Sequence, residues 1–146
     1  MEKQNGKSVT SLFVDSDAFV ALAKEDDSNH ERAVQILGEL LHANVSFLTS
    51  NYVFSETITV ISQRVSHKAA LLFIEEMKSP NASFLIRWVD EELEVIATEI
   101  FKNQRSKNVS FVDCTNMAIM QDDKINVIFS FDKIYKKNGF QTVQDS

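Results

Sequence analysis

Four acidic residues stand where a carboxylate could do chemistry: Asp15, Glu56, Asp113 and Asp132. Asp15 ends the apolar run Leu12-Phe13-Val14, and in an open α/β sheet the carboxyl end of a strand is where ligands bind. Glu56 follows Val53 by three residues and precedes Val60 by four, a spacing that puts a carboxylate on the inward stripe of a helix. A buried carboxylate without a partner is costly or takes up a proton, so Glu56 asks for a metal, a cation or a hydrogen-bond network. Asp113 closes Ser110-Phe-Val-Asp113, which has capping-box spacing with Asp in place of Glu, yet it shares a face with Asn116, Met117 and Met120. Helix cap and ligand both stay open for it. Asp132 follows Val127-Ile-Phe-Ser-Phe131, where an Asp commonly bonds its own turn. Singly, each acid has an ordinary structural reading. Jointly, carboxylates at two strand ends and on two helices would form an oxygen-rich site for Mg²⁺ or Mn²⁺ rather than zinc.

Other chemistries have little support. There is no Cys/His zinc pattern and no glycine-rich phosphate loop, and three glycines in the whole chain argue against dinucleotide binding. His30, His42 and His67 fall at polar helix positions, and the single Cys114 reads as a small core residue. The formal charge of −6 opposes broad attraction to nucleic acid, but acids gathered around a metal are locally offset by the ion. Basic residues cluster late, as Lys102, Arg105 and Lys107 and then Lys133, Lys136 and Lys137.

The elements that must position the acids follow from hydrophobic period and turn chemistry. A chain of 146 residues with 44% hydrophobic and 25% charged residues fits one α/β domain with one core. Polar residues 1–10 read as a disordered leader without an apolar signal region, and 11–146 as the domain. No apolar stretch approaches the roughly 18 residues that span a bilayer, and one cysteine permits no internal disulfide, so a cytoplasmic location is expected. Strands are expected at 12–14, 45–48, 84–89 and 127–131, with a short final one at 141–143. Helices are expected from an Asp17 cap to Ala23, over about 29–42 behind a Ser28/Glu31 capping box, at 52–64 with Thr49, Ser50 or Asn51 as cap, and at 67–78. Asp90 should cap a helix with the stripe Leu93, Ile96, Ala97 and Ile100, and a further helix covers about 111–121. Short strands alternating with helices imply a mainly parallel sheet of four to five strands flanked by helices.

Taken in order, Leu12-Phe-Val-Asp15-Ser-Asp17, Asp27-Ser-Asn-His30-Glu-Arg-Ala33, Leu48-Thr-Ser50-Asn-Tyr-Val-Phe-Ser-Glu56-Thr57, Ser110-Phe-Val-Asp113-Cys114 and Phe129-Ser-Phe-Asp132-Lys133 resemble the PIN-domain nucleases, and among them the VapC-type toxin ribonucleases. The resemblance runs from about residue 11 to 143. It implies that Asp15, Glu56, Asp113 and Asp132 are the catalytic, metal-binding acids, that Ser130 is the small hydroxyl residue two before the last acid, and that Asn116 stands where many relatives carry a further acid. It also implies hydrolysis of RNA phosphodiester bonds with Mg²⁺ or Mn²⁺, held by Asp15 and Asp113 and completed by Glu56 and Asp132. Lys133, Lys136 and Lys137 would contact the RNA backbone. Pairing into a homodimer and blockade by a small antitoxin protein are further implications.

Two other readings compete. Asp15-Ser-Asp17 has the spacing of the aspartate pair in haloacid-dehalogenase-type phosphatases, but the later acidic motif and lysine fit poorly. A non-catalytic PIN-like scaffold would bind RNA or protein without cleavage, but it would be free to lose the acids, and all four are present; a receiver-type module would want an acid after the third strand, which Asp90 could supply, and a lysine after the last, which has no clear match.

Overall fold

The computed structural model describes residues 10–143. The disordered leader expected over 1–10 lies outside these residues except for Thr10, which instead opens the first strand. The elements run β1 (Thr10–Val14), α1 (Ser16–Ala23), α2 (His30–Leu41), β2 (Val45–Ser50), α3 (Asn51–Arg64) and α4 (His67–Lys78). Then come β3 (Phe84–Arg87), α5 (Glu91–Lys102), α6 (Phe111–Asp122), β4 (Val127–Phe129), α7 (Ile134–Lys137) and β5 (Gln141–Thr142). All five strands are parallel, in the order β3-β2-β1-β4-β5.

That order places the candidate site. The chain builds outward from β1 through β2 to β3, then returns to lay β4 on the other side of β1. The connection reverses direction between β1 and β4, and the crevice outside the carboxyl ends of two such strands is where open α/β sheets bind ligands. Register aligns Val14 with Phe129, so Asp15 and Ser130 leave the sheet side by side, tied by the Asp15 amide donating to the Phe129 carbonyl at 3.1 Å.

The central strand is buried on both faces, as a helix-covered parallel strand must be: Leu12, Phe13 and Val14 are all inaccessible. On one side Phe19, Phe47, Phe73 and Phe84 form a ring cluster with centroids 5.1 to 5.3 Å apart, which accounts for much of the phenylalanine in the sequence. α6 is sunk in the core, with every residue from Cys114 to Met120 buried. No amphipathic period could mark such a helix.

Local differences from the sequence expectations have physical causes. The first helix is capped by Asp15, whose side chain accepts from the Ser16 amide, and not by Asp17, which sits in its first turn. The Ser28/Glu31 capping box does not form; Asn29 is the N-cap residue without a side-chain bond, and Asp27 instead accepts from the Asn29 amide at 2.8 Å. Ser50 caps α3, freeing Asn51 to accept from the Val89 amide at 2.7 Å and pin the segment after β3. The inward residues of α2 are Ala33 and Ile36 and those of α4 are Ala70 and Met77, with Leu41 and Leu71 exposed. No helix among the described residues is long and apolar enough to cross a membrane.

Candidate active site

Asp15 is the hub. It is 5% exposed, and its carboxylate accepts three hydrogen bonds from three different elements. Oδ1 accepts from the Ser16 amide at 2.7 Å and from Asn116 Nδ2 at 3.1 Å, while Oδ2 accepts from the Tyr135 hydroxyl at 2.6 Å. The same Tyr135 hydroxyl stands 3.2 Å from Asp113 Oδ1. One phenol oxygen therefore links the carboxylates of β1 and α6, residues separated by most of the chain.

Asp113 is both cap and site residue, because its two oxygens divide the work. The capping box is complete: Ser110 Oγ accepts from the Asp113 amide and Asp113 Oδ2 accepts from the Ser110 amide, both at 3.0 Å. That leaves Oδ1 facing Tyr135 and Asp15. Replacing Ser110 with Ala removes the bond to the Asp113 amide and should cost about 1 kcal/mol of stability, while Asp113 Oδ2 keeps its bond from the backbone amide of residue 110. A melting temperature lowered by roughly 2–4 °C, with divalent-ion binding little changed, would register the loss of the cap alone.

Glu56 and Asp132 are placed differently from expectation. Glu56 is exposed rather than on the inward stripe of α3, which is carried by Val53, Thr57 and Ile61 at intervals of four. A residue three after Val53 falls to the side of that stripe. From there Glu56 reaches the site through Ser16, whose Oγ donates to Glu56 Oε2 at 2.8 Å. Asp132 is exposed too, and its Oδ1 accepts from the Ile134 amide at 3.0 Å in the ordinary manner of a turn aspartate. Ser130 Oγ accepts from the Asp132 amide at 3.1 Å and so fixes that turn. Asn116 is wholly buried, bonded to both Asp15 and Tyr135. Lys133, Lys136 and Lys137 are exposed on and beside α7.

Three participants escaped sequence reasoning. Asp17 Oδ2 accepts from Ser130 Oγ at 3.1 Å and from the Phe131 amide at 2.7 Å, clamping the exit of β4 to α1, and its Oδ1 is buried without a hydrogen-bond partner. Tyr135 lies in a lysine-rich stretch that reads as solvated surface, yet its ring is fully buried. Ser16 is a plain helix-start residue until α3 packs beside it. The one available signal was Asp17 itself, an acid two residues from a candidate ligand.

The electrostatics are those of acids crowded into a poorly hydrated space. Burial, then the nearby charge of Asp17, pushes Asp15 up to about 7, against the opposing pull of Tyr135 and the Ser16 amide. Burial lifts Asp17 to about 6, with the charge of Asp132 adding to it. Asp113 is raised by burial and by Asp132, while its capping bonds hold it down. Tyr135 is pushed well above its ordinary value by burial and by Asp15 and Asp113, so it remains a protonated donor. Burial and Asp113 lift the Cys114 thiol to about 11, which makes it a packing residue rather than a nucleophile. The ion pairs Lys24–Asp26, Arg87 with Asp122 and Asp123, and Lys102–Glu99 lie elsewhere.

The expectation that four carboxylates meet on one point is corrected in part. Among the described residues, no three Asp, Glu, His or Cys side chains stand close enough to share an ion. The capping bonds of Asp113, the turn bond of Asp132 and the outward placement of Glu56 each hold an oxygen away from a common center. What remains is the pair Asp15 and Asp113, with Glu56 and Asp132 around it. Two carboxylates suit Mg²⁺ or Mn²⁺, hard ions that keep several waters and complete their shells with substrate phosphate. The all-oxygen donor set and the crowding of raised acids fit such an ion; they do not fit zinc.

A five-stranded parallel sheet whose acids stand at the β1/β4 crevice defines a class. The PIN domain family model matches residues 12–141, and the chain belongs to that family. Within that family it is similar to nucleases of the VapC type. It is 29% identical over 133 residues to the 23S rRNA-specific endonuclease VapC20 of Mycobacterium tuberculosis, covering 91% of this chain and 98% of that protein. The crystal structure of VapC20, a sarcin-ricin loop cleaving toxin, superposes with a TM-score of 0.80 at 27% identity over 88% of this chain and 95% of that one. FitAcB of Neisseria gonorrhoeae (TM-score 0.67, 16% identity, 90% and 95% covered) and VapBC2 of Rickettsia felis bound to a promoter DNA fragment (0.62, 10%, 91% and 97%) share the fold.

Proposed function

We propose that this chain is a cytoplasmic, Mg²⁺- or Mn²⁺-dependent endoribonuclease, the toxin of a toxin–antitoxin pair, which works as a homodimer and is restrained by a small antitoxin protein. The observation that carries the reading is the juxtaposition of Asp15 and Asp113 across one hydroxyl at the carboxyl end of β1. The likeness to VapC20, over nearly the full length of both chains, supports RNA as the substrate and ribosomal RNA as the first to try.

Asp15 Oδ2 and Asp113 Oδ1 would hold the ion, with Glu56 and Asp132 completing the site by direct or water-mediated contact. When bound, the ion supplies acidity to a water molecule and charge neutralisation at the phosphate. Ser16 steers Glu56 toward the site, and Ser130 with Asp17 fixes the Asp132 turn. Lys133, Lys136 and Lys137 would meet the RNA backbone beside the acids, adding a salt-dependent share of affinity. A shallow trough of about 400 Å³ opens at Glu56, lined also by Tyr52, Ser55, Thr59 and Val112. A roomier groove of about 470 Å³ at Phe19, Leu22, Phe73 and Phe84 is apolar and carries none of the four acids.

The test is cleavage of a purified ribosomal RNA fragment by the full chain. Cutting at discrete positions with Mg²⁺ or Mn²⁺, stopped by chelator and restored by added ion, is the expected result. Unchanged RNA under all divalent ions, with a folded protein, would favour the non-catalytic scaffold.

A further inference from the structure

We propose that Tyr135 is a positioning residue for the metal-holding pair: its hydroxyl, braced by Asn116, sets the separation of Asp15 and Asp113 and thereby the affinity of the site for its cation. The inference rests on the reading that those two carboxylates hold the ion.

The geometry is closed on itself. Tyr135 is wholly buried; its hydroxyl lies 2.6 Å from Asp15 Oδ2 and 3.2 Å from Asp113 Oδ1, and accepts from Asn116 Nδ2 at 3.0 Å. Asn116 Nδ2 also donates to Asp15 Oδ1 at 3.1 Å. A phenol has one hydrogen and can give it to only one carboxylate at a time, whereas an amide nitrogen has two. The shorter contact assigns the phenol hydrogen to Asp15, and the two amide hydrogens serve Asp15 and the phenol oxygen. Asp15, Tyr135 and Asn116 thus form a ring in which every donor hydrogen is used, and Asp113 rests against its outer side.

Nothing else in this ring spans the two carboxylates. Their like charges favour separation, and the other bond to the Asp113 carboxylate is the one its Oδ2 accepts from the Ser110 amide. Tyr135 can serve as a fixed spacer because its ring is packed in the main core and because α7 follows directly from the Asp132 turn. The Tyr135→Phe substitution keeps the ring and removes the spacer alone. Outer partners that orient metal ligands commonly act on this scale, with losses of about tenfold to a hundredfold in ion affinity.

The experiment is calorimetric titration of the full chain with Mn²⁺ in the wild type, Tyr135→Phe, Asn116→Ala and the double variant, alongside RNA cleavage as a function of Mn²⁺ concentration. Tyr135→Phe should weaken Mn²⁺ binding about tenfold and raise the Mn²⁺ needed for cleavage in proportion, with kcat at saturating Mn²⁺ little changed. The double variant should bind about as weakly as the worse single one, since both residues act through one ring. A general loosening of the fold would instead give additive losses and a fall in kcat. Wild-type Mn²⁺ affinity in Tyr135→Phe, or a kcat loss at unchanged affinity, overturns the inference and leaves the metal reading standing. A wild-type chain that takes up no Mn²⁺ overturns both.

Discussion

Asp15→Asn is expected to lose RNA cleavage by at least ~10²-fold, the scale on which removal of one preorganised electrostatic group acts, while the protein becomes more stable at pH 8 in chelator. The two effects have one source. Asp15 is buried beside Asp17 and Asp113, and its carboxyl is raised to about 7 because ionisation there is opposed. Asn keeps the shape. Its oxygen can still accept from the Ser16 amide and Asn116, and its amide can face Tyr135, whose hydroxyl then turns to Asp113. The variant exchanges one hydrogen bond, worth about 1 kcal/mol, for the removal of a buried charge. A tenfold change in proton affinity corresponds to about 1.4 kcal/mol, so the charge term dominates. Paired measurements decide it: RNA cleavage with Mn²⁺, and melting with chelator at pH 8. A variant that is inactive and less stable than the wild type would show Asp15 to be a structural cap rather than a strained site residue.

The second large effect is on the pH dependence of stability, and its sign is opposite to that of ordinary acid denaturation. Asp15, Asp17 and Asp113 all have folded-state values above their unfolded value, so the folded chain binds protons more tightly there. The contribution of Asp15 and Asp17 is fully present below about pH 4 and is lost as pH rises through about 6 to 7, and Asp113 acts in the same direction. In chelator, therefore, these groups lower the melting temperature between pH 4 and 8. A divalent ion competes with the same protons and should reverse the loss. At a hundredfold excess over its Kd it contributes about 2.7 kcal/mol, more of it at pH 8 than at pH 5, where Asp15 holds a proton. Differential scanning calorimetry with Mn²⁺ and with chelator at both pH values measures this. Equal stabilisation at pH 5 and pH 8 would mean that the ion binds somewhere other than these acids.

Much of the fold was readable from the sequence because it rests on local signals. Apolar runs ending in turn residues marked the strands, Asp90 and Ser110 capped their helices as their spacing implies, and strand-helix alternation required a parallel sheet. Asp15 could be singled out because a carboxylate at the end of a buried strand breaks the apolar pattern. Glu56 was harder. Its spacing from Val53 fits the edge of the stripe as well as its center, and only the packing of α1 on α3 decides which residue turns inward. The Ser28/Glu31 box was plausible by type and spacing but lost to a turn made by Asp27, a local competition whose outcome propensity does not fix.

Sequence alone determined which residue types could do chemistry here: acids, hydroxyls and an amide, with no histidine pair, thiolate or phosphate loop. Tertiary structure decided how they are used. The β1/β4 pairing sets Asp15 beside Ser130, the burial of α7's tyrosine puts a hydroxyl between Asp15 and Asp113, and the clamp from Asp17 to Ser130 reveals that acid as part of the site. The physical reason is that propensity and hydrophobic period act over a few residues. The energy of a carboxylate depends on charges and donors brought near it through space, by strands whose neighbours in the sheet are not their neighbours in the chain.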